Sequence, residues 1–138
     1  MEQIDRRSAL AFGLAGISGL VISEQAAAQT YGPSDGKEVG PGVRQVDLGE
    51  RDSLIRAYGK VRLRDIVLQP GAKTPDNMMM NDMLCHMTEG ELAVVQNAKS
   101  FTVKKGDVWT CAKGITTEGT QNKGSTVAIM RIIDLMPA

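Results

Sequence analysis

The stretch from Gly90 to Gly114, GELAVVQNAKSFTVKKGDVWTCAKG, decides the fold class. It holds three short runs, Glu91 to Gln96, Ser100 to Lys104 and Val108 to Cys111. Asn97-Ala98-Lys99, Lys105-Gly106-Asp107 and Lys113-Gly114 punctuate them. Short apolar and β-branched runs bounded by Gly, Asn and Asp read as strands joined by turns. No stretch of the mature chain carries the 3.6-residue apolar period of a helix.

The same pattern continues outward on both sides. Upstream, Met83 to Met87 is a run ended by Glu89-Gly90. Lys60 to Leu68, KVRLRDIVL, alternates charged and apolar residues like a half-buried strand, and Pro70-Gly71 closes it. Arg44 to Leu48 is a first strand. Downstream, Ile115 to Gln121 is a further run, and Asn122-Lys123-Gly124 turns into Ser125 to Leu135. Seven or more short strands at regular spacing predict an all-β single domain, a sandwich or a barrel, over residues 43–138. Residues 29–42 are Gly, Pro, Ser and Asp with little apolar content and read as a flexible arm.

The first 28 residues read as an export signal and not as part of the fold. Arg6-Arg7 is followed by Ser8 and the apolar pair Ala9-Leu10, and an uncharged run from Ala9 to Ile22 comes next. That run is too short to span about 30 Å of hydrocarbon comfortably. Ala26-Ala27-Ala28 supplies the small residues that a signal peptidase accepts, which predicts a mature chain starting at Gln29. The arginine pair in this setting resembles a twin-arginine signal, so the expected location is the periplasm. The whole chain has 16 basic and 16 acidic residues. Removing the signal takes away Arg6, Arg7, Glu2, Asp5 and Glu24, and the mature part stays near neutral. Without a basic patch interleaved with aromatics, nucleic acid is not an expected partner. No amphipathic basic helix points the mature form to a membrane.

From Pro70 to Leu135 the spacing resembles the two motifs of the cupins. Starting from Gly71, the two histidines of the first cupin motif fall on Asn77 and Met79, its glutamate on Met83 and its closing glycine on Gly90. In the second motif Gly106 is followed by Ala112-Lys113-Gly114. Thr117 stands at the histidine position and Gln121 at the asparagine. The resemblance implies a jelly-roll β-barrel, with a homodimer as the expected assembly. It does not imply the family's usual metal chemistry, because Asn77, Met79, Met83 and Thr117 replace all four ligand positions.

What replaces those ligands is chemically soft. Asn77 to Met87, NMMMNDMLCHM, holds five of the eight methionines, one of the two cysteines and the only histidine. If Met83 points inward as the family's glutamate does, strand alternation sends Cys85 and Met87 inward too, and Leu84 and His86 outward. Cys111, on the strand before Gly114, is placed near Cys85 by the family's strand pairing. Met79, Met83, Cys85, Met87 and Cys111 are therefore candidate ligands for a soft metal, chiefly Cu(I), with Asn77 and Thr117 at the same pocket. The alternative is that thioethers simply fill the core. Cys85 and Cys111 are either free thiols or a disulfide, which would add about 3.5 kcal/mol in the chain-entropy model.

The expected function is ligand binding more than turnover, with a metal ion or a small molecule as the partner. The rival readings are an atypical enzyme using Cys85 or Asn77 on a small organic substrate, and a filled, purely structural barrel. No nucleophile elbow or phosphate loop is present. Arg62 and Arg64 alternate with apolar residues and read as a solvated face. Facing inward, they would instead suit an organic acid.

Overall fold

The computed structural model describes residues 30–76, 78–115 and 118–138. The signal read at residues 1–28 lies outside the described residues, as do Asn77 and Thr117. Pro33–Ala138 forms one compact unit. Its described residues contain nine strands and no helix. These are β1 (Lys37–Gly40), β2 (Val43–Asp52), β3 (Tyr58–Leu68), β4 (Asp82–Glu89), β5 (Glu91–Gln96), β6 (Lys99–Lys104), β7 (Val108–Cys111), β8 (Glu118–Gln121) and β9 (Ala128–Pro137).

The strands form two antiparallel sheets, one ordered β1-β2-β3-β9-β4-β7 and the other β6-β5-β8. The fold class is thus the expected all-β jelly roll, but the two sheets face each other without closing into a barrel. Residues from both sheets meet in one buried cluster: Leu68, Met87, Trp109 and Met130 from the large sheet, and Leu92, Val94 and Val103 from the small one. Met83, Cys85 and Met87 are buried, while Leu84 and His86 on the same strand are exposed. That alternation makes β4 one wall of the interior, with a burial pattern of period two.

Gly71, Gly90, Gly106 and Gly114, the glycines that carry the spacing, all take positive φ, between 70° and 94°. Their turns require a backbone conformation that side chains resist. Gly90 is doubly constrained, since a Cβ there would lie 2.7 Å from the Val127 carbonyl oxygen. It makes the step from β4 in one sheet to β5 in the other. Asn97 and Ala98 also have positive φ, 49° and 65°, closing the two-residue hairpin between β5 and β6. Consecutive positive φ values match the right-handed twist of the flanking strands.

The structure departs from the sequence reading in three places. Lys37–Gly40, inside the stretch read as a flexible arm, pairs with β2 as an edge strand. The Arg44 guanidinium holds the chain just before it, donating to the carbonyls of Ser34, Asp35 and Gly36 at 2.7–3.2 Å. Composition alone missed this, because the partner of those carbonyls is a distant side chain. β2 runs on to Asp52 through an irregularity between Asp47 and Gly49, which its low apolar content concealed. β8 starts later than read, at Glu118, and β9 runs from Ala128 to Pro137.

Candidate functional site

The large sheet presents its inward side chains in rows, because strands in antiparallel register place partners side by side. Across β3, β9 and β4 the first row is Arg62, Asp134 and Met83, continued on β7 by Cys111. The second is Arg64, Ile132 and Cys85, continued by Trp109. The third is Ile66, Met130 and Met87, and the fourth pairs Leu68 with Ala128. Leu68, Met87 and Ala128 are fully buried and fill the inner end.

The first two rows, with Ile66 and Met130 of the third, open onto a cavity of about 640 Å³, to which β8 contributes Glu118 and Thr120. Pro75, Met78, Met79, Met80 and Asn81, between β3 and β4, border the same cavity, with Met78 and Met80 exposed. A second cavity of about 350 Å³ shares Thr74, Glu118 and Thr120 with the first.

Arg62 and Arg64, read from the sequence as a solvated face, line this cavity. Both faces of β3 are partly covered, so alternation alone could not say which face was inner. Asp134, fully buried, organises them. Arg64 grips it with two nitrogens, Nε at 2.8 Å and Nη2 at 3.0 Å, and Arg62 Nε donates to it at 2.9 Å. Arg64 Nη1 donates to Gln45 Oε1 at 3.0 Å. Two guanidinium groups thus share one carboxylate. Among the described residues nothing accepts from the two terminal nitrogens of Arg62.

The soft residues are placed as follows. Met83, Cys85, Met87 and Cys111 belong to one buried cluster, and Met79 packs against it half-buried. Of these five, Met79, Met83 and Cys85 line the cavity. Met79 is tied to the loop after β7 by two backbone bonds, its N–H to Ile115 at 2.9 Å and its carbonyl from Gly114 at 2.8 Å. The two cysteines are free thiols. Cys85 lies opposite Trp109 and Cys111 opposite Met83, so the thiols are diagonal neighbours on adjacent strands. Diagonal Cβ atoms stand about 7 Å apart, well beyond the roughly 4 Å that a disulfide spans.

Burial pushes the Cys85 thiol up to about 12, and the charge of Glu118 adds to it. Burial and its hydrogen bond to Glu118 hold the Cys111 thiol above its ordinary range as well. Cys111 Sγ donates to Glu118 Oε2, which also accepts from Gln96 Nε2 at 3.1 Å.

The metal of an ordinary cupin is held by three histidines and a carboxylate, and these residues do not fit it. Neutral thioethers stand at two ligand positions, and Arg64 Nη2 lies 3.8 Å from Met83 Sδ. An ion such as iron or manganese would gain no anionic ligand from these thioethers and would meet a guanidinium. Among the described residues no group of three or more His, Cys, Asp or Glu is placed to hold a metal.

Asp134, Glu118 and Gln45 were missed in the sequence. Asp134 left a trace: Ala128, Met130, Ile132 and Asp134 share one parity of β9, so a lone carboxylate interrupts an apolar face. Glu118 left none beyond its place next to Thr117.

Comparison with solved structures agrees with the architecture. The cupin domain of Cnp3 from Schizosaccharomyces pombe is 18% identical, with a TM-score of 0.57 over 75% of this chain and 70% of that one. An RmlC-like cupin from Shewanella frigidimarina is 17% identical, with a TM-score of 0.59 over 79% and 89%. KdgF from a Halomonas species is 14% identical, with a TM-score of 0.59 over 73% and 86%. No family model matches the chain. No curated protein matches it either. The fold is therefore the cupin fold, and a pair of arginines lines the cavity between its sheets.

Proposed function

We propose that this protein binds a small organic carboxylate in the cavity between its two sheets, and holds it without turning it over. The observation that carries this reading is Arg62, whose terminal nitrogens are uncommitted while its Nε is fixed on the buried Asp134. Asp134 offsets only one of the two guanidinium charges. The cluster therefore keeps a positive charge facing the cavity, where a carboxylate can take a forked, charge-assisted pair of hydrogen bonds. Arg64 is committed to Asp134 and Gln45, so it acts as the brace and Arg62 as the hand.

The test is calorimetric titration of the chain starting at Gln29 with propionate, benzoate and succinate, each beside its uncharged amide. The expected result is that at least one carboxylate binds and its amide does not, and that Arg62→Leu abolishes the difference. Equal binding of acid and amide, or no binding by any acid, overturns the reading.

A second reading, Cu(I) storage or delivery, is favoured by Met79, Met83 and Cys85 lining the same cavity. Against it stand the Arg64 guanidinium beside Met83 and the protonated Cys85 thiol. Anaerobic Cu(I) titration against a chromogenic chelator separates the two. One equivalent bound by the protein and lost in Met83→Leu/Cys85→Ser speaks for copper.

The working place of the protein is the periplasm, reached by the twin-arginine route. The sequence at Arg6-Arg7 and Ala26-Ala27-Ala28 supports this. The expected exported form begins at Gln29, and changing both arginines to lysine should leave the precursor in the cytoplasm. Export unaffected by that change refutes the route.

A further inference from the structure

The two walls of the cavity carry opposite charges. Arg62 and Arg64 stand on β3 in the large sheet, and Glu118 stands on β8 in the small sheet, all bordering the same space. Glu118 is held on one side only. Its Oε2 receives both Cys111 Sγ and Gln96 Nε2, and Gln96 is itself fixed by donating to the Thr110 carbonyl at 2.9 Å. Among the described residues nothing donates to Oε1. Thr74 and Thr120, whose hydroxyls meet at 2.9 Å, flank it on the same wall.

A carboxylate that lines a cavity and is nine-tenths buried needs donors or a cation at both oxygens. The chain supplies donors to one oxygen and leaves the other open to the cavity, where a ligand donor can take the place of water. A hydroxyl or amide could donate there, but a cationic amine also offsets the charge, and a strongly held occupant of this cavity matches both walls at once.

Building on the carboxylate reading, we infer that the ligand is zwitterionic, an amino-carboxylate whose acid end lies on Arg62 and whose ammonium end lies on Glu118. This assigns Glu118 as the residue that determines specificity, and it excludes simple fatty or aromatic acids as the preferred occupants. Met79, Met83 and Ile132 also line the cavity and offer apolar contacts to the methylene chain that joins the ends.

The experiment is a titration series on the chain starting at Gln29. It pairs each of 3-aminopropanoate, 4-aminobutanoate, 5-aminopentanoate and 6-aminohexanoate with the acid of equal length lacking the amine. The series lets the separation of the two walls select its own length. The expected result is a length at which the amino acid binds at least roughly tenfold more tightly than its amine-free partner, the scale of one charge-assisted hydrogen bond. In Glu118→Gln, which keeps the shape of the side chain, that preference should vanish while the amine-free acid still binds. Should the amine-free acids bind as well as or better than every amino acid, the zwitterion inference is wrong and the carboxylate reading stands. A preference that survives in Glu118→Gln overturns the assignment to Glu118. If neither series binds, the carboxylate reading itself fails.

Discussion

Asp134→Asn is the substitution that most directly probes how the cavity is built. The wild-type carboxylate is fully buried and receives three hydrogen bonds of 2.8–3.0 Å from two guanidinium groups. Asparagine fits the same space, but one of its two terminal atoms becomes a donor facing N–H donors, and the negative charge is gone. Removing one member of a buried ion pair costs about 3–5 kcal/mol. The Arg62 and Arg64 side chains keep 31% and 16% of their exposure, so water can reach them in part. That places the expected loss at the lower end, about 3 kcal/mol, a large share of the 5–15 kcal/mol available to a small domain. Urea unfolding followed by circular dichroism, with the slope checked for constancy, measures it. The companion variant Arg62→Leu/Arg64→Met/Asp134→Leu replaces the whole cluster by apolar residues and should return close to wild-type stability while losing carboxylate binding. A loss below about 1 kcal/mol in Asp134→Asn would falsify this account, because that is the range of ion pairs exposed to water.

Three other outcomes are expected. Both thiols are held above their ordinary value of 9.0 in the folded chain. Stability should be flat below pH 9 and fall above it, as the unfolded chain releases protons that the folded chain keeps. The slope is about 1.4 kcal/mol per pH unit for each thiol, and Cys85→Ala should halve it in urea titrations run from pH 8 to 10. Ala98 sits at φ 65° in the β5–β6 turn, so Ala98→Gly should raise stability by about 0.5 kcal/mol, visible as a higher urea midpoint. A fall in the midpoint would mean that the turn is not the strained type described here. Met87 is fully buried but does not reach the cavity, so Met87→Ala should cost about 2–5 kcal/mol and leave the dissociation constant for the best carboxylate unchanged. A weakened ligand affinity would show that Met87 also shapes the site.

The amino-acid sequence by itself determined the fold class. Local signals carry that information: glycines with positive φ at positions 71, 90, 106 and 114, and short runs between them whose side chains alternate with period two. The same period put Met83, Cys85 and Met87 on one face and Leu84 and His86 on the other, because alternation is a property of a single strand. The edge strand β1 was not legible, since what fixes it is Arg44 reaching back to carbonyls eight to ten residues away. Nor was the character of the cavity. Arg62 and Arg64 show the same spacing whether they face water or a ligand. Their direction is settled by Asp134, separated from them by 72 and 70 residues and brought beside them only when β3 pairs with β9. Glu118 acquires its place in the same way, through Gln96 on the neighbouring strand β5 and Cys111 on β7 of the facing sheet. Turns and periodicity are written into neighbouring residues. The pairing of charges between strands depends on contacts between residues distant in sequence, which only the assembled structure decides.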